Sequence, residues 1–239
     1  MKKVALFFFT ALFFSLLFGF IASRFTSSDN MLILSYSFGV FLAVVIFKGI
    51  KTIKFGITKS SIAILLLAFL LPFLYRGILD FSHLSLFENP ILTSLLLLTA
   101  AFFEEVGWRG YLFSQLKSYS WLKMNLIISI FWAGWHYPAL LSGAFLITPP
   151  ILLTLLFYNL DFFLLTLIFG WFRQKTNGLI GPTLIHASEN ISYLLFVGTG
   201  QIVISLKEEM VTALILVMVV LFLTAWRKPA SGGYRGRTC

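Results

Sequence analysis

Charge is what this chain has least of. Aspartate and glutamate number 9 and lysine and arginine 18 among 239 residues, so charged side chains are 11% of the chain and hydrophobic ones 59%. Soluble domains carry roughly a quarter charged residues. Disordered segments are poor in aromatics, whereas aromatics reach 18% here, with 28 phenylalanines. A soluble globular enzyme, a disordered chain and a nucleic-acid-binding module are thereby excluded. Cysteine is nearly absent as well. The single Cys239 rules out an intramolecular disulfide and a cysteine metal cage. With a mean hydropathy of +0.95, the chain reads as an integral, multi-pass membrane protein.

A helix needs about 20 apolar residues to cross the hydrocarbon core. About eight stretches meet or approach that length: 4–23, 31–50, 61–79, 91–109, 123–145, 151–172, 179–198 and 208–226. Polar or turn-forming breaks separate them at Ser27–Asn30, Lys48–Lys51, Pro149-Pro150 and Arg173–Gly178, and Pro72 and Arg76 interrupt the third. The expected fold is all-α, a transmembrane bundle of about eight spans forming one domain over 1–226. A basic, Gly/Ser-rich tail over 227–239 is expected to be flexible and to rest on anionic headgroups. Met1-Lys2-Lys3 before an apolar run also resembles a secretory signal, with Ala22-Ser23 as a cleavage region. The apolar core outlasts the roughly 7–15 residues of such signals, which favours an uncleaved first helix.

The basic residues set the orientation. With the N-terminus inside, fifteen of the 18 Lys and Arg fall in inner segments and three (Arg24, Arg76 and Lys207) in outer ones. That asymmetry predicts both termini in the cytoplasm and an even number of spans. The positive surplus is thus a topology signal and not a surface for nucleic acid. In a bacterium the host bilayer would be the plasma membrane.

Few ionisable or amide residues lie within the spans: Glu104, Glu105, Arg109, His136, Asn159, Asp161, His186, Glu189 and Asn190. A charge at bilayer depth costs about 2.5–3.5 kcal/mol even on lenient insertion scales, so each needs a partner or a task. None lies in the first two spans, which suggests a bland scaffold beside a polar core. Glu105 and Arg109 are four apart and share a helical face, where they can pair. Glu104 then lacks a cationic partner in its own segment, and repulsion between adjacent carboxylates suits one of them to act as a base. The bland alternative is a structural pair at the interface.

His136 follows Trp132 by one turn in an aromatic helix, where Trp132 is placed to shield it from lipid. A lone histidine there is more often a packing residue than a catalyst. His186 and Asn190 share a face of the seventh span, and polar helix–helix contacts are the competing explanation. His83 falls in a loop and is read as incidental. Asp161 is expected to line a cavity, and Glu189 to meet Arg173 or a loop.

Together these elements resemble the CPBP family, the type II CAAX prenyl endopeptidases or ABI family of intramembrane proteases. Its Glu-Glu-x-x-x-Arg motif is matched by Glu104, Glu105 and Arg109. Its Phe-x-x-x-His motif is matched at His136, with Trp132 in the Phe position, and its His-x-x-x-Asn motif by His186 and Asn190. The matching core spans about 90–195. The resemblance implies that Glu104, assisted by His136, activates the attacking water. It further implies that His186 and Asn190 stabilise the oxyanion and that Glu105 and Arg109, with Trp132 beside them, support the site. The substrate class it implies is a peptide or membrane-associated protein, prenylated in the family's name-giving reaction. Glu104, His136 and His186 are equally a donor set for Zn2+, so a metal-free and a zinc-dependent reading both stand. Two other classes stay open: a non-catalytic relative acting in bacteriocin immunity or as a partner-binding scaffold, and a transporter relaying protons through Glu104, Asp161 and His186.

Overall fold

The computed structural model describes residues 1–26, 28–56, 62–79, 89–141, 145–197 and 202–225. The basic tail over 227–239 and His83 lie outside the described residues. The first helix, α1 (Lys2–Ala22), is apolar on every side and points Leu6, Phe9, Phe13 and Phe20 outward. Such a helix is stable only where its surroundings are also apolar. A shorter α2 (Asp29–Ile46) and α3 (Ile62–Leu79) follow, α3 carrying Pro72. Pro90 starts α4 (Pro90–Glu105) at its first turn, where the missing N–H costs nothing.

Beyond Glu105 the helix widens into a π-helical turn over Val106–Leu112, every residue of it buried, and then into the short α5 (Phe113–Gln115). Insertions of this kind re-aim side chains inside a helix and are frequent at functional sites. Next come α6 (Trp121–Leu141), α7 (Ile151–Lys175), α8 (Ile180–Val197) and α9 (Leu206–Ala225). Leu214, Met218, Leu221 and Phe222 of α9 face outward like the aromatics of α1.

Eight long helices, among the described residues, thus coincide with the eight apolar stretches, and the all-α bundle stands. Four helical stretches (Lys2–Ala22, Pro90–Gln115, Ile151–Lys175 and Leu206–Ala225) are long and apolar enough to cross a membrane, and two shorter apolar ones span Asn30–Ile46 and Ile62–Gly77. The helices α6 and α8 fall outside both groups because they carry polar residues, His136 and His186 among them. The chain is an integral membrane protein with a polar interior.

One element departs from the all-helical expectation. The fifth span was expected to run to residue 145, but α6 stops at Leu141 and Phe145–Ile147 forms a strand, β1, parallel to β2 (Ile202–Ile204). Phe145 pairs with Ile202 and Ile147 with Ile204. Three-residue apolar runs rich in aromatic and β-branched side chains, bounded by Gly and Pro, have no periodicity that distinguishes strand from helix.

Two glycines let the helices around the site approach closely. At Gly39 of α2 a Cβ would collide with the backbone of Phe14 and Ser15 in α1. At Gly107 in the π turn it would collide with Val40 of α2. Small residues at such crossings allow backbones to near contact. The second approach sets α2 directly against the end of α4, next to Glu104.

Candidate active site

Glu104 and Glu105 sit at the end of α4 with 4% and 0% of their surface exposed, and His186 of α8 is at 4%. With solvent excluded to this degree, each polar atom must be satisfied by protein or held for a ligand. Glu105 Oε1 accepts from Arg109 Nη1 at 2.9 Å and faces His186 Nδ1 at 2.9 Å. The Glu105–Arg109 pair expected from the spacing is therefore formed, and it extends to His186. Because a carboxylate only accepts, His186 carries a proton on Nδ1 and turns Nε2 away from Glu105. That Nε2 lies 3.9 Å from Glu104 Oε2.

Glu104 has partners the sequence did not suggest. Ser37 Oγ of α2 donates to its Oε1 at 2.9 Å, and the indole Nε1–H of Trp132 donates to its Oε2 at 3.0 Å. The first two helices are therefore no bland scaffold. Ser37 reaches the carboxylate, the hydroxyl of Tyr36 donates to the carbonyl of Trp135, and Trp135 Nε1 donates to Ser15 Oγ. Hydroxyls in an apolar helix give no warning of this, since they can satisfy themselves on their own helix carbonyls.

His136 Nδ1 lies 2.8 Å from the carbonyl of Trp132 one turn back, so Nδ1 donates and Nε2 has no hydrogen-bond partner among the described residues. Trp132 does more than shield it. The indole meets the His136 and His186 rings edge-on at centroid distances of 5.8 and 5.3 Å, and the Arg109 guanidinium stacks 4.4 Å above it. Arg109 also reaches Thr166 Oγ1 of α7 at 3.2 Å. Asn190 is half-buried one turn beyond His186.

The residues left unassigned by the motifs separate from this cluster. Glu189 pairs with Arg76 of α3, whose Nε and Nη2 both donate to Oε1, at 3.2 and 2.5 Å. The expected partner Arg173 instead donates to the carbonyl of Arg109 at 3.2 Å. The pairing reverses the expectation because Arg76, 113 positions away in sequence, lies on the helix packed against α8. Asp161 is buried, with neither oxygen receiving a donor among the described residues. Its neighbour is the carboxyl of Glu209 in α9, close enough for a side-chain hydrogen bond, which two carboxyls make only by sharing a proton. Asn159 donates to the Tyr137 hydroxyl and to the carbonyl of Leu155, each at 2.7 Å.

The three candidate metal donors can be tested against this geometry. Among the described residues no group of three or more His, Cys, Asp or Glu side chains is placed to hold a metal ion. Glu104, His136 and His186 are therefore not gathered into such a group in this arrangement. Each oxygen of Glu104 accepts one hydrogen bond from the protein and keeps a further lone pair.

Comparison with known proteins meets the same stretch of chain. Residues 86–192 match the family model described as Type II CAAX prenyl endopeptidase Rce1-like. The resemblance read from the motifs holds. CAAX prenyl protease 2 of Methanococcus maripaludis is 38% identical over 114 residues, 45% of this chain and 41% of that protein. The chain thus matches under half the length of this curated relative. The endopeptidase-like stretch contains Glu104, Glu105, Arg109, Trp132, His136, His186 and Asn190, whereas Ser37 and Arg76 lie outside it.

An apolar groove of about 440 Å³ opens between α3, α4 and α8, lined by Phe69, Ile91, Leu95, Leu98, Leu184 and Ile191. It runs past Ala187 and Ser188, the two residues that follow His186.

Proposed function

We propose that this protein is an intramembrane endopeptidase that hydrolyses a peptide bond of a membrane-associated protein or peptide, with Glu104 as the base that activates water. The observation that carries this reading is the convergence of Glu104 and Glu105 on the two ring nitrogens of His186, at 3.9 and 2.9 Å, in a buried site. A desolvated carboxylate beside an imidazole is a general base with a proton acceptor or donor at hand.

The roles follow from the donors. Glu104 takes a proton from water as the oxygen attacks the carbonyl carbon, and that proton passes, by way of His136 Nε2, to the amine nitrogen as the C–N bond breaks. His136 Nε2, with Nδ1 engaged by a backbone carbonyl, is free to accept or return a proton as the amine leaves. His186 becomes an Nε2 donor to the oxyanion when its ring is doubly protonated, and Glu105 balances that charge at Nδ1. The amide of Asn190 is the second donor. Such pre-aimed donors stabilise the tetrahedral intermediate without reorganising. The substrate's apolar portion, lipidated or not, approaches along the groove between α3, α4 and α8. The water is activated by Glu104 directly, without a metal.

The test is cleavage of a peptide library by purified protein in detergent. Glu104→Gln is expected to reduce product to background while the variant elutes and unfolds like wild type, and chelator is expected to leave wild-type turnover unchanged. Wild-type-like turnover by Glu104→Gln would sink the proposal. Loss of activity on chelation, restored by Zn2+, would replace direct activation with a metal-bound water.

A further inference from the structure

Trp132 and Ser37 together hold Glu104, and neither has a role assigned by the pairing of acidic and basic groups around them. Each carboxylate oxygen of Glu104 has its own donor, the hydroxyl of α2 on Oε1 and the indole of α6 on Oε2. Both donors are themselves buried, Ser37 at 0% and Trp132 at 3% exposure. A carboxylate with two oxygens pinned from two helices cannot rotate about its terminal bond without breaking a charge-assisted hydrogen bond. The lone pairs left over therefore keep one direction.

We infer that Ser37 and Trp132 form a two-donor clamp that positions the Glu104 carboxylate for its task as base. This rests on the reading of Glu104 as the base. The indole N–H is the decisive atom. A phenylalanine at position 132 would keep the ring contacts with Arg109, His136 and His186 but would offer no donor to Oε2. The substitution of Trp for Phe at this motif position is then no mere exchange of one aromatic for another. The other donor comes from outside the endopeptidase-like stretch, held in place by the close approach of α2 at Gly107. The two residues are positioning residues, acting on the reaction through the orientation of Glu104.

Two readouts test the clamp. In protein with 15N-labelled tryptophan, the indole cross-peak that vanishes in Trp132→Phe belongs to Trp132. It is expected to move in Glu104→Ala, which removes its acceptor, and to be perturbed in Ser37→Ala, which frees the carboxylate to turn. An indole signal unmoved by Glu104→Ala would overturn the clamp outright. In the cleavage assay, Trp132→Phe and Ser37→Ala are each expected to lower kcat roughly ten- to hundredfold with KM nearly unchanged, as for a misaimed catalytic group. Wild-type kcat in both variants would overturn the positioning role even with the hydrogen bonds present. If wild-type protein cleaves nothing while the indole responds to Glu104→Ala, the clamp exists and the endopeptidase reading is what fails.

Discussion

One oxygen of Glu105 serves two neighbours. Oε1 accepts from Arg109 and from His186, both at 2.9 Å, with all three side chains buried. Such an arrangement is costly to break from one side, because removing the carboxylate leaves a buried guanidinium without its counter-charge and an imidazole without its orienting acceptor. Stacking of Arg109 on Trp132 and Phe169, at 4.4 and 4.8 Å, softens but does not replace that charge. Glu105→Ala is expected to destabilise the protein by about 3–5 kcal/mol. Glu105→Gln keeps an acceptor oxygen for one partner, and is expected to fold while losing most activity, because His186 no longer has a negative charge behind it. Unfolding in a denaturing detergent series, read beside cleavage, separates the two. Equal stability of Glu105→Ala and wild type would show that Arg109 finds its partners elsewhere.

Between helices, polar pairs do the work that apolar contact cannot do in lipid, where hydrocarbon tails compete equally for apolar surface. The tie between α3 and α8 rests on Arg76 and Glu189, whose side chains are 17% and 10% exposed. Arg76 is further braced by Tyr75 and Tyr193, whose rings lie 5.4 and 5.0 Å from the guanidinium. Since Glu189 sits between His186 and Asn190 in α8, the tie also limits rotation of the helix that carries both. Arg76→Gln and Glu189→Gln are each expected to cost about 2–4 kcal/mol, toward the lower part of the range for buried pairs because Arg76 retains some access to solvent. The double variant is expected to cost less than the sum, with a coupling of about 1 kcal/mol or more. Strict additivity in thermal unfolding of the four proteins would show that the two charges do not support each other.

At the scale of the whole molecule, the helices were legible as apolar stretches, four of them long and apolar enough to cross a bilayer, and the short strands were not because three residues carry no period. The Glu105–Arg109 pair was legible from spacing alone, and His136 and His186 from the rarity of polar groups in an apolar chain. Ser37, Thr166 and Arg76 were not. Their roles depend on which helix lies beside which, and a hydroxyl or a lone arginine does not announce that in sequence. Orientation is a further whole-molecule property, proposed from the fifteen-to-three division of basic residues, with both termini cytoplasmic. The chain carries its own reporter, since Cys239 is its one cysteine. In intact bacterial cells expressing the protein, a membrane-impermeant maleimide is expected to leave Cys239 unmodified and to label it once the cells are permeabilised. Ser28→Cys, at an exposed position between α1 and α2, is expected to label without permeabilisation, because one crossing separates it from the N-terminus. Labelling of Cys239 in intact cells together with protection of Ser28→Cys would invert the topology, and labelling of both from outside would require an even number of crossings between Ser28 and Cys239, and so an odd total with the N-terminus inside. The positive-charge asymmetry would then have to be assigned to lipid binding instead of insertion.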